Sequence, residues 1–75
     1  MYFKRDVIYF KPGDVIVDNE TNKLVYLILE VHYRKIDYKI FVLNHPNPLC
    51  IGKKYDLFIN GNFFKLLKNV NLNEI

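Results

Sequence analysis

A chain of 75 residues in which 51% are hydrophobic and 16% aromatic suffices for one domain, is too short for two, and is too apolar to stay disordered. Its net charge of +3, from eleven basic and eight acidic residues, tolerates nucleic acid without demanding it. Its single cysteine, Cys50, excludes an internal disulfide framework, so the fold must hold by packing, as expected of a protein in a reducing compartment.

The first ten residues, MYFKRDVIYF, read as an N-terminal arm or an edge strand. Lys4, Arg5 and Asp6 interrupt the apolar run that a signal peptide needs, and no stretch is long enough to cross a bilayer as a helix. No membrane association and a cytoplasmic location are therefore expected. Lys11, Pro12 and Gly13 make a turn ahead of a short strand, Asp14 to Val17, and DNETN is a polar loop. The segment KLVYLILEVHYRK, residues 23–35, alternates with period two. Val25, Leu27, Leu29, Val31 and Tyr33 share one face, and Tyr26, Ile28, Glu30, His32 and Arg34 the other, which predicts a long strand. YKIFVLN, residues 38–44, follows so closely that the two form an antiparallel hairpin. Pro46 and Pro48 stop that pairing, because proline lacks the N–H of a ladder.

KKYDLFI and NFFKLL are the last two strands, joined at Asn60-Gly61, a dipeptide suited to a two-residue type I′ turn. That turn predicts a register with Phe58 opposite Phe63, Leu57 opposite Phe64 and Asp56 opposite Lys65. Phe64 then faces the core. Phe58 and Phe63 pair on the outer face beside Lys54, Lys65 and Leu67. Residues 69–75 form a C-terminal tail. The expectation is one all-β domain over residues 1–75, an antiparallel five-stranded sheet.

Strands of this length, opened by KPGDVIV, resemble the SH3-like small barrels, many of which begin with a Gly-Asp pair ahead of an apolar strand, as Gly13 and Asp14 do here. The resemblance spans roughly Lys11 to Lys68 and implies a small closed barrel. The size and order of parts are similar to those of small phage and viral accessory proteins. The chain lacks the tryptophan and the ALYDY-like motif with which peptide-binding SH3 domains hold polyproline. It also has no Ala, Ser or Gln and is crowded with Asn, Lys, Ile and Tyr, residues of A/T-rich codons, which points to an AT-rich genome such as a phage, a large DNA virus or a low-GC bacterium. For a viral chain the expected location is the host cytoplasm or the virion.

Chemistry is sparse. His45 and Cys50 flank PNPL, but no third group is evident to orient the histidine, and the chain has no serine, CxxC or HxxxH. They read as a loop histidine and a half-buried thiol, and neither catalysis, a metal nor a cofactor is expected. Glu30, His32 and Arg34 alternate along the long strand as a polar surface. Phe58 and Phe63, with Lys54, Lys65 and Leu67, are the candidate binding residues. The reading is a non-enzymatic protein-interaction module, binding a host protein, an assembly subunit or a further copy of itself. The alternative is a basic barrel that stacks single-stranded nucleic acid on Phe58 and Phe63.

Overall fold

The computed structural model describes residues 8–74. Five antiparallel strands form one sheet: β1 (Asp14–Asp18), β2 (Val25–His32), β3 (Asp37–Asn44), β4 (Lys54–Leu57) and β5 (Phe64–Asn69). Short 3-10 turns cover Pro48–Cys50 and Leu72–Glu74. The spatial order is β4-β3-β2-β1-β5, so the chain meanders through four strands and then crosses back to lay β5 against β1. Among the described residues the sheet is open, with β4 and β5 as its edges and no ladder between them. The all-β, five-stranded antiparallel expectation holds, and hydrogen-bonded closure into a barrel is absent from these pairings. Of the expected arm, residues 1–7 lie outside the described part, and Ile8 to Phe10 are not in a strand.

The start of β1 follows from its residues. Asp14 N–H donates to Lys11 C=O at 3.1 Å around a turn whose Gly13 has φ +92°. A Cβ on Gly13 would lie 2.3 Å from Val70 O, and Val70 N–H donates to Gly13 C=O at 2.8 Å, so only glycine lets the start of β1 lie this close to the end of β5. The Asp14 carboxylate accepts from Lys11 N–H at 3.0 Å and from the Asn69 side-chain amide at 2.7 Å. Asp18, at the other end of β1, accepts from Thr21 N–H, Thr21 Oγ1–H and Leu24 N–H at 2.7 to 2.9 Å. Both acids are buried, and these bonds offset their desolvation. They are structural groups.

The core packs Ile16 of β1, Tyr26 and Ile28 of β2, Tyr38, Ile40 and Val42 of β3, Ile59 and Phe10. Full burial of each aliphatic side chain contributes about 1.5–3 kcal/mol. Bulges fall at Leu29, Leu43 and Leu67, each an extra residue against its partner strand. The Leu29 bulge resets the alternation of β2. Tyr26 and Ile28 point inward, Leu29 and Glu30 both stand opposite Lys39, and Val31 returns to the core side. The opposite face is apolar as well, with Val15, Val17 and Leu27 buried outside the core cluster. Leu72, in the expected tail, returns over this face and lines a groove of about 290 Å³ with Leu27, Leu29, Phe41 and Lys54.

The hairpin expected at Asn60-Gly61 does not form. Neither residue has a positive φ, so the turn is not type I′. Phe63 N–H donates instead to Asn60 C=O at 3.0 Å in a turn that sends the chain across to β1. Tertiary pairing outweighs the local signal. β5 gains a full ladder with β1, and Phe64 stacks on Tyr26 with centroids 5.6 Å apart. Asp56 accordingly stands opposite Lys39 of β3, not Lys65.

Candidate functional site

The segment between β4 and β5 is fixed from three sides. Asn60 Oδ1 accepts from Asn62 N–H at 2.9 Å, and Asn19 donates its amide to Asn62 C=O at 3.1 Å. The Tyr9 ring lies against Gly61, where a Cβ would fall 2.3 Å from Tyr9 Cγ. Tyr9 is held in turn by Tyr38, whose buried hydroxyl accepts from Tyr9 N–H at 3.0 Å and Phe10 N–H at 3.3 Å. On this braced segment Phe58 and Phe63 are 62% and 56% exposed. They do not form the expected cross-strand pair, but both flank the Gly61 turn with Tyr9, which the sequence reading had not assigned to the site. The only advance signal for Tyr9 was the aromatic density of the arm.

The other expected members are dispersed. Lys54 is on β4 and Lys65 and Leu67 on β5, at opposite edges of the sheet. Glu30 and His32 do meet: His32 Nε2 lies 3.3 Å from Glu30 Oε1, and Nδ1 lies 2.7 Å from Asp37 Oδ1. The bond to Asp37, then that to Glu30, raises the His32 pKa above its ordinary value, with Asp56 adding negative charge nearby. Asp37, which the sequence reading left in the connection, is the missed member. Arg34 is exposed in the turn.

His45 and Cys50 have separate polar partners. His45 Nδ1 accepts from Asn47 N–H at 2.9 Å, and the neighbouring Cys50 thiol, ahead of burial, raises the pKa of the Tyr55 phenol. Burial first, then the charges of Cys50 and Asp18, raises the pKa of Tyr26. Phe64, Tyr26, Cys50 and Tyr55 thus run from one edge strand toward the other across the core side. Among the described residues no three His, Cys, Asp or Glu side chains converge as a metal site, and no helix is long and apolar enough to cross a membrane. No protein-family model, curated protein or solved structure matches this chain.

Proposed function

We propose that this protein is a non-enzymatic interaction module that buries Tyr9, Phe58 and Phe63 against a protein partner. One observation carries the reading: two phenylalanines stand more than half exposed on a segment braced by Asn19, Asn62 and Tyr9. Rigid, exposed aromatics bring large contact area at low entropic cost, which is the character of binding hot spots. The strand order, with the last strand returning to the first, supports the SH3-like reading of the fold. The A/T-biased composition supports a phage or viral accessory protein, a reading that a GC-rich coding sequence would overturn.

Phe58→Ser with Phe63→Ser tests the surface. Stability stays within about 1 kcal/mol of the parent, while a partner captured by the parent from source-cell lysate is lost. Collapse of the variant returns both rings to the core and sinks the reading. The nucleic-acid alternative needs a shared basic face, and Lys54 and Lys65 lie at opposite edges. Anisotropy of labelled single strands at low and moderate salt checks it, since phosphate binding weakens steeply with salt.

A further inference from the structure

We propose that the free edge of β5 is a strand-addition site for an extended peptide of alternating acidic and apolar residues. The inference deepens the interaction-module reading by naming a second element and the chemistry of what it binds.

The peptide groups available at this edge follow from the ladder. Asn19 N–H bonds Phe63 C=O and Val70 N–H bonds Gly13 C=O, each at 2.8 Å. Antiparallel alternation between these points turns Lys65 and Lys68 toward β1, and leaves the N–H and C=O of Phe64, Leu66 and Asn69 facing away from it. Among the described residues nothing pairs with that side. β5 contains no proline and no acid, and Leu66 and Leu67 are each 54% exposed. An edge with unpaired peptide groups and neither proline nor acid is a template for another strand, and its lysines bias it against a basic one.

The lysines select the occupant. The Leu67 bulge sets Lys65 opposite Val17 and Lys68 opposite Val15, so both stand on one face at the two-residue spacing of Val15 and Val17, roughly 7 Å. Leu66 lies on the other face, opposite Ile16. A complementary strand therefore carries acids at i and i+2 beside the lysines and an apolar residue between them over Leu66. A second copy of β5 is a poor occupant. It brings two further lysines and no acid to an edge that already carries two, and like charges brought together across a ladder are destabilising.

The test is anisotropy of a fluorescein-labelled heptapeptide of alternating Glu and Val against the full chain, with a Lys/Val peptide as control. The parent binds the Glu peptide and not the control. Leu66→Pro removes an outward N–H without touching the β1 ladder, so it keeps the fold and weakens binding by about tenfold or more. Lys65→Glu with Lys68→Glu reverses the preference between the two peptides, and this variant decides alone where Leu66→Pro does not fold. Failure of the parent to bind, equal binding by a folded Leu66→Pro, or an unchanged preference after charge reversal overturns the proposal. A dimer in sedimentation that Leu66→Pro dissolves assigns the edge to a second copy and overturns it too. Phe58→Ser with Phe63→Ser binds the heptapeptide as the parent does, so failure of the edge and failure of the aromatic surface are read separately.

Discussion

The ring of Tyr9 fills the space in which any residue other than glycine at position 61 would carry its Cβ, 2.3 Å from Tyr9 Cγ. Gly61 has no positive φ, so its role is one of space and not of backbone conformation. Gly61→Ala is expected to displace Tyr9 and cost about 1–2 kcal/mol, measured by chemical denaturation. In a Tyr9→Ala background the same substitution costs much less. Equal costs in both backgrounds would place the strain elsewhere.

Tyr38 holds the other end of this brace. Tyr38→Phe leaves the ring packed but removes the acceptor for Tyr9 and Phe10 N–H, the second of which is buried. The expected loss is about 1–3 kcal/mol, with faster amide exchange at residues 9 and 10 than at β3. Unchanged exchange there would detach the arm from Tyr38.

Ile36 has φ +57° in the turn between β2 and β3, a conformation that branched side chains rarely take. Ile36→Asn is expected to raise stability by about 1 kcal/mol, because asparagine tolerates the left-handed region. A fall in the denaturation midpoint would mean that the half-buried Ile36 side chain outweighs the strain.

Two groups set opposite pH limits. Backbone hydrogen bonding by Thr21, foremost, holds Asp18 well below its ordinary carboxyl value of 3.8. Its contribution is present above that unfolded value and is lost as pH falls from about 4 toward the folded pKa. His32 is shifted the other way by Asp37 and Glu30 from an ordinary value of 6.5. Its contribution is complete below 6.5 and is lost as pH rises through the raised folded pKa. Asp18→Asn should flatten the acid limb of stability against pH, and His32→Gln the limb above neutrality. A His32 NMR titration midpoint at or below 6.5 would contradict the second assignment.

The strands and the β2–β3 hairpin were legible because period-two patterning and proline and glycine punctuation are local signals. The partner of β5 was not. Asn60-Gly61 satisfies a hairpin rule in sequence, and the competing gain, a ladder with β1 and a ring stacked on Tyr26, lies far away along the chain. The faces of β2 were ambiguous for a related reason. Both are apolar through Leu29, and a bulge that shifts the alternation by one leaves no mark on composition. The placing of Phe58 and Phe63 on an outer face rested on a pairing that does not exist. Each ring stands in solvent because the braced crossover carries it there.

The return of β5 to β1 also sets the order in which this chain can mature. While it is being synthesised, β1 through β4 can associate as a meander as they emerge, but β1 keeps one bare side until residues 64–69 follow. Contacts spanning so much of the sequence carry a heavy closure entropy and form late. A nascent chain therefore displays an apolar strand paired on one side only, with Val15, Ile16 and Val17, during the interval before its last strand arrives. A fragment that ends before residue 64 would keep that bare side and be adhesive, while one that includes residues 64–69 would cover it.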